Sequence, residues 1–387
     1  MPYTFSFYLP TKIIFRRGSF NELGKETKSL GDRAIFVCGR RFAQKSGYLD
    51  RAKKLLEKEG IRVTVFNKVE PNPSFETVEK GAELAKKERI NVVIGFGGGS
   101  AMDAAKGIAV LVSQGGKITD YIFPNEVKGS VIPIIAVPTT CGTGSEVTRY
   151  AVFSDLKNKK KTTMLGYPII PRVSILDSEV LNYLPPSLTA YTAFDALSHA
   201  MEAYLSKASQ PLSDLVALES IRVIFENLEK AYKGDLDARE KIFYASMLAG
   251  IAINCTGTII VHGMGYYLTM YHDVHHGLAN ALLLPFALEY LAPSIPEKIV
   301  KLAKTLGISK DDPSLDAETL FNEICRLENS TGIPRSLRDV GVIDEKEIDV
   351  MTEEALTYKR NLLRSPREPS KEDLRTIYLK AFRGRPI

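Results

Sequence analysis

The chain has 387 residues, 44% hydrophobic and 25% charged, with a net charge of +5, an ordinary globular composition with enough length for more than one core. The charge excess is mild and no basic stripe is interleaved with aromatics, so nucleic acid is not an expected partner. No apolar run reaches the roughly 18 residues of a spanning helix, so no membrane is expected either.

The chain opens on MPYTFSFYLPTKIIF, which lacks the basic and long apolar regions of a signal peptide. Cys38, Cys141, Cys255 and Cys325 show no CxxC pairing, so a reducing cytoplasm is expected. Tryptophan is absent while Lys, Arg and Glu are common, a lean towards a thermophilic source.

Up to about residue 180, short β-rich runs alternate with amphipathic helical stretches. Ala34–Val37, Val63–Phe66, Val92–Gly95 and Ile132–Val137 are bounded by Gly or Pro and suit buried parallel strands. Leu49–Glu59 and Phe75–Lys87 carry helical patterns between them. Such alternation implies an α/β layer with right-handed crossovers.

The strand NVVIGF runs into Gly97, Gly98, Gly99 and Ser100, then into the helix AMDAAKGIAVLV. Glycines let a backbone approach a ligand closely, and the helix start behind them offers free N–H groups to a pyrophosphate. A tight strand-to-helix turn would look the same. Asp103 reads equally as a dipole-favoured acid, and Lys106 as a surface lysine. A second polar loop, Pro138 to Glu146 (PTTCGTGSE), follows the next strand. Its hydroxyls and glycines suit phosphate, ribose or amide, or form an ordinary Ser/Thr loop. Two such loops after neighbouring strands favour a nucleotide site. The basic run Lys157, Lys159, Lys160 and Lys161 reads as a solvated turn.

After Pro185 and Pro186 the β signal nearly vanishes. Residues 187–205, 209–231, 236–254, 276–291 and 294–306 carry helical periodicity. The proline pair marks a boundary. Two domains are expected: an α/β dinucleotide-binding domain over 1–184 and an all-helical metal-binding domain over 185–387.

All five histidines, His199, His262, His272, His275 and His276, lie in this second half. Asp195 and His199, at i and i+4 in FDALSHAMEAYL, share one helix face. A buried carboxylate and imidazole are costly unless paired or metal-bound. An Asp–His hydrogen bond would satisfy them, and so would a metal completed by His262 and His276. Three imidazoles and a carboxylate suit Fe²⁺ or Zn²⁺ rather than Mg²⁺ or Ca²⁺. Gly263 and Gly277 each leave room beside the preceding histidine.

Taken in order, VEPNPSFETVEKG, GFGGGSAMDAAK, VPTTCGTGSEVT, FDALSHAMEAYLS and HHGLANALLLP resemble the iron-containing (group III) alcohol dehydrogenases, of dehydroquinate synthase-like fold. The resemblance runs from FRRGSFNELG to SPREPSKEDLRTIYLKAF. It implies transfer of hydride between NAD(P)(H) and a small primary alcohol, diol or aldehyde, in a homodimer or larger homo-oligomer. It implies that Asp195, His199, His262 and His276 bind metal, Fe²⁺ first and Zn²⁺ second. It implies that Gly98, Gly99 and Ser100 form the pyrophosphate turn, joined by Asp103. Thr139, Thr140, Thr143, Thr148 and Lys161 match cofactor contacts, and Tyr150, Val152, Ile253 and Tyr266 are candidate pocket walls. His262, His276 and Tyr266 are the catalytic candidates. A zinc-dependent glycerol dehydrogenase-like polyol oxidoreductase, with three protein ligands, and a non-catalytic relative are the alternatives.

Three positions depart from the family pattern. Tyr266 stands where many members have a second histidine, four residues after His262. With an ordinary pKa near ~10, a phenol is a poorer proton shuttle than imidazole. Gly39 stands where NAD-using members tend to carry Asp, and Arg40 and Arg41 follow it, which favours NADP(H). His275 precedes His276 and reads as a surface histidine, an alternate ligand or a supporting group.

Overall fold

In the computed structural model the described residues are 4–385; positions 1–3 and 386–387, the outer ends of the two expected domains, lie outside them. The chain separates into two compact units, Tyr8–Leu184, and Pro185–Ile387 with Met1–Phe7. The expectation grouped residues 1–184. The initial segment instead goes with the helical unit, where Gln210 Nε2 donates to the Ser6 carbonyl at 3.4 Å.

The first unit contains β1 (Lys12–Phe15), β2 (Arg33–Gly39), β3 (Arg62–Val69), β4 (Val92–Gly97), β5 (Ile134–Pro138), β6 (Tyr150–Asp155), β7 (Lys160–Leu165) and β8 (Val173–Leu176). Its helices are α1 (Leu23–Lys28), α2 (Phe42–Lys45), α3 (Tyr48–Lys58), α4 (Phe75–Lys87) and α5 (Gly99–Gln114). Six strands form a parallel sheet in the order β1-β8-β5-β4-β2-β3. Strand β4 is buried along its whole length, as a central strand covered on both faces must be. Ile35, Val37 and Val93 of the sheet pack with Ala104, Ala105 and Ile108 of α5.

The chain steps from β2 to β3, then returns across β2 to β4. Strand order therefore reverses at the β2/β4 boundary, the place where open α/β sheets bind ligands. The strand ends meeting there are Gly39 and Gly97, and Pro138 of β5 pairs directly with Gly97. The four expected β-rich runs correspond to β2–β5. Four-residue β1 and β8 add an edge through pairing of Lys12 with Val173.

The basic run is not simply a solvated turn. It closes the antiparallel β6/β7 hairpin, with Lys159 at φ +50°. Side chains alternate across a strand, so Lys160 is exposed while Lys161 is buried.

The second unit has no strand among the described residues. It runs through α6 (Pro186–Leu205), α7 (Pro211–Tyr232), α8 (Leu236–Thr256), α9 (Ile260–Tyr271), α10 (His276–Leu291) and α11 (Pro296–Thr305). Then come α12 (Pro313–Ser330), α13 (Glu345–Ala355), α14 (Lys359–Arg364) and α15 (Lys371–Arg383). Pro185 is extended and Pro186 opens α6, where its missing N–H costs nothing. From Thr192 to Leu205 every residue of α6 is buried, so its polar side chains need internal partners. No single helix is long and apolar enough to cross a membrane; α8 and α9 pass such a test only as a pair bent by 110°.

Candidate metal and nucleotide sites

Helices α6, α9 and α10 bring donors together in the second unit. Ligand atoms of Asp195, His262 and His276 all lie within 4.8 Å of one another. His262 Nε2 and His276 Nε2 are each 3.7 Å from Asp195 Oδ1. Asp195 and His262 are buried, and His276 is partly exposed. Burial alone would raise the Asp195 carboxyl, but the imidazoles of His199, His276 and His262 outweigh it and hold it below the usual carboxylate range. Burial pulls His262 down, while Glu202 and Asp195 pull it up and prevail. Two carboxylates thus set a negative field around the imidazoles, which suits a cation.

His199 is close to this set but not within it. Its ring stacks on that of His262, centroids 4.5 Å apart. His272, on the other side of α9's end, pairs with Glu347. His275 is exposed and caps α10, its Nδ1 accepting from the Gly277 N–H at 3.2 Å; among the readings open for it, a supporting role at the helix start is the one its contacts describe. Tyr266 lies flat on His276, centroids 5.7 Å apart and planes 12° apart, with Tyr358 at 4.8 Å. Burial pushes its phenol well above the ordinary range, so it keeps its proton at neutral pH.

Two further groups complete the centre, and sequence reasoning passed over both. Asn280, fully buried, donates from Nδ2 to Asp195 Oδ1 at 2.9 Å. The same Nδ2 is 3.2 Å from His262 Nε2 and 3.3 Å from His276 Nε2, while its Oδ1 has no hydrogen-bond partner. Gly265 makes space for this amide, since a Cβ there would come 2.7 Å from Asn280 Oδ1. Glu202, also buried, accepts backbone N–H bonds from Ile259, Val261 and His262 and pairs with His262 Nδ1. The signal was present: Glu202 is seven residues after Asp195 and three after His199, on the same face of α6. Likewise Asn280 is four after His276.

The donor chemistry fits a borderline divalent ion. Two imidazole nitrogens converge on a carboxylate in a buried spot, and the amide held against all three leaves its own oxygen unsatisfied. Such an orphaned buried acceptor is costly.

In the first unit the glycine turn forms a tight cradle. Gly97 has φ +149°, and a Cβ there would sit 2.7 Å from Ala101 Cβ. A Cβ on Gly98 would come 3.2 Å from Thr140 Oγ1, and one on Gly99 2.6 Å from Thr143 Cγ2. The turn and the Thr-rich loop are therefore in van der Waals contact. The Thr139 N–H donates to the Gly97 carbonyl at 2.9 Å, and Ser100 Oγ accepts from the Asn72 N–H at 3.0 Å. Gly39 ends β2, with the exposed Arg40 and Arg41 next. A cradle only glycine can line, at the reversal of strand order and at a helix start, fits a dinucleotide pyrophosphate.

Below the cradle lies a buried ionic group. Lys106 is not a surface lysine. It is fully buried and donates to the carbonyls of Thr148 at 2.9 Å and Tyr150 at 2.7 Å. Burial lowers its pKa to about 8, against the pull of Asp103 and Glu146. Asp103 accepts from Ser145 Oγ at 2.6 Å and from the Val152 N–H at 2.9 Å. Its two oxygens thus brace the Thr-rich loop and β6. Thr148 is buried with its Oγ1 3.4 Å from Lys106 Nζ. Lys161 Nζ donates to Ser154 Oγ at 3.2 Å, and burial lowers it to about 8 as well.

Residues 10–178 match the family model for iron-containing alcohol dehydrogenase, and residues 189–382 match the model for the C-terminal part of the Fe-containing alcohol dehydrogenase family. The 1,3-propanediol dehydrogenase of Citrobacter freundii is 37% identical over 384 residues, covering 98% of this chain and 99% of the relative. The NADPH-dependent butanol dehydrogenase of Clostridium saccharobutylicum is 33% identical, covering 98% of each. The crystal structure of a 1,3-propanediol oxidoreductase superimposes with a TM-score of 0.93 at 35% identity, over 98% of this chain and 100% of that one.

Proposed function

Because the chain belongs to the iron-containing alcohol dehydrogenase family, we propose that its hydride carrier is NADP(H) and that Asp195, His199, His262 and His276 hold its metal, Fe²⁺ before Zn²⁺. The protein is a metal-dependent, NAD(P)-dependent alcohol dehydrogenase and aldehyde reductase acting on small molecules. The convergence of Asp195, His262 and His276 within 4.8 Å carries the metal assignment. His199 joins them on its spacing from Asp195 and its ring contact with His262.

When bound, the metal supplies Lewis acidity to the alcohol or carbonyl oxygen, and the nicotinamide supplies the hydride chemistry. The chain's residues hold and orient. Asn280 holds Asp195 Oδ1, the oxygen that faces His262 Nε2 and His276 Nε2, and so fixes the carboxylate's orientation towards the two imidazoles. Tyr266, stacked on His276 and protonated at neutral pH, offers an O–H donor beside the ligands. It is a hydrogen-bonding wall rather than a proton shuttle.

Gly98, Gly99 and Ser100 receive the pyrophosphate, and Thr139, Thr140, Thr143 and Lys161 supply polar contacts to the cofactor. Asp103 and Thr148 act behind them, as braces. Four cysteines with no disulfide between them among the described residues favour the cytoplasm, and the assembly is a homodimer or larger homo-oligomer.

The reading is tested by metal-stripped protein reconstituted anaerobically with Fe²⁺ or Zn²⁺ and offered short aldehydes and diols. NADPH oxidation is expected with metal and not without it. Equal rates with and without metal would overturn the assignment.

The cofactor preference has its own test. At Gly39 a Cβ would meet only the Val69 carbonyl, at 3.7 Å, so a side chain fits without strain. Gly39→Asp should repel a 2′-phosphate and accept the ribose hydroxyls of NAD(H) instead. One charge-assisted hydrogen bond is worth about 1.5–3 kcal/mol, so the NADH/NADPH ratio of kcat/KM should rise about 10–100-fold. A parent enzyme already strongly selective for NADH would refute the NADP(H) reading.

A further inference from the structure

Glu202 is an unusual acid. It lies inside α6, 1% exposed, with no lysine or arginine paired to it among the described ion pairs. Its partners are instead the start of α9 and one imidazole. Oε1 accepts the N–H groups of Ile259 at 3.0 Å, Val261 at 2.8 Å and His262 at 3.4 Å. Oε2 faces His262 Nδ1. The first turn of a helix has unsatisfied N–H donors, and here one carboxylate oxygen gathers three donors at that end.

This arrangement decides which ring nitrogen of His262 carries the proton. A carboxylate accepts and does not donate. The Nδ1 facing it must therefore be N–H, which leaves the lone pair on Nε2. Nε2 is the atom that converges with Asp195 and His276. We propose that Glu202 is a positioning residue of the metal centre: it fixes the Nδ1–H tautomer of His262, presenting the Nε2 lone pair to the ion, from the same carboxylate that closes the start of α9. This rests on the metal reading given under Proposed function. A ligating histidine held through its second nitrogen is the usual way proteins orient such a ligand. Here the clamp comes from α6, the helix of Asp195, so two ligands on different helices share one rigid reference.

Glu202→Gln separates this role from simple packing. The three backbone donors require an oxygen where Oε1 stands, so the amide NH₂ must turn towards His262. It would then donate to Nδ1, drive the ring proton to Nε2 and block the ligand atom. Shape and cap are retained.

The experiment uses the full-length, metal-stripped chain at neutral pH. Zn²⁺ affinity is measured by competition with a chromophoric chelator. The His262 tautomer is read from imidazole ¹⁵N shifts, and stability from the metal-free melting temperature. E202Q is expected to weaken Zn²⁺ binding about 10–100-fold, switch His262 to Nε2–H and leave the metal-free melting temperature nearly unchanged. A fall in melting temperature with the tautomer unaltered would mean a structural role only and would overturn the proposal. So would unchanged affinity in E202Q beside normal binding by the parent. Failure of the parent to bind Zn²⁺ or Fe²⁺ would instead sink the metal reading, and this inference with it. Should E202Q not fold, the parent's tautomer decides, since Nε2–H in the metal-free parent contradicts the clamp.

Discussion

Replacing His262 with alanine is expected to strip the centre of metal and lower kcat/KM by about 10³-fold, since Lewis-acid stabilisation is worth several kcal/mol. Of the donors, His262 touches the most of the site. It lies 3.7 Å from Asp195, stacks on His199, meets His276 edge-on at 5.1 Å and pairs with Glu202. Its removal also leaves Glu202 buried without its imidazole. Three backbone donors remain to that carboxylate, so the loss of stability should be about 1–3 kcal/mol, the cost of one unmet buried hydrogen bond. The metal-free melting temperature should fall by a few degrees while turnover collapses. His272→Ala is the control. That histidine sits near the surface against Glu347, outside the donor set, and its loss should leave metal content and turnover intact. Full metal occupancy and full activity in His262→Ala would remove the ligand assignment.

The sequence makes some of this plain and hides the rest for physical reasons. The central strands β2, β4 and β5 declare themselves because strands buried on both faces must be continuous apolar runs. β1 and β8 do not, since a four-residue strand is defined by a partner far along the chain, Lys12 with Val173. The β6/β7 hairpin hides behind the lysines that close it. Only its pleat separates buried Lys161 from exposed Lys160. Lys106 reads as a surface lysine because Asp103, three residues before it, looks like an ordinary acid at a helix start and nothing else nearby in sequence marks it as buried. Its partners are carbonyls of Thr148 and Tyr150, brought near by folding.

At the metal site, Asp195, His262 and His276 stand out by residue type. Glu202 and Asn280 do not, because glutamate and asparagine are common on helices and only burial makes them exceptional. Their spacing from Asp195, His199 and His276 is nonetheless helical, so a search for polar residues at i+3, i+4 and i+7 from a candidate ligand would have found both. The resemblance to the iron-containing alcohol dehydrogenases supplied the family; it supplied no reason for Asn280 or Glu202, and the structure does.

Gly277 and Gly263 read alike in the sequence, each following a histidine ligand and each leaving room beside it. The structure makes them unequal. A Cβ at Gly277 would stand 1.9 Å from the Tyr191 carbonyl oxygen, 2.8 Å from that carbonyl carbon and 3.0 Å from Asp195 Cβ. These are backbone atoms of α6 and the base of a ligand, so no side-chain rotation relieves the clash. Helices α6 and α10 would have to separate, carrying Asp195 away from His276. At Gly263 the nearest neighbour is Asn361 Cβ at 3.3 Å, which a small shift accommodates. Alanine gains about 1 kcal/mol of helix propensity over glycine, enough to offset the tight contact at Gly263. At Gly277 overpacking should outweigh that gain, leaving a net loss of about 1–3 kcal/mol. Gly277→Ala should therefore melt several degrees lower and bind Zn²⁺ at least about tenfold more weakly, as expected when a ligand's support is displaced. Gly263→Ala should keep both properties near those of the parent. Measured side by side, equal behaviour of the two variants would show that close approach of α6 and α10 at Gly277 does not set the donor geometry.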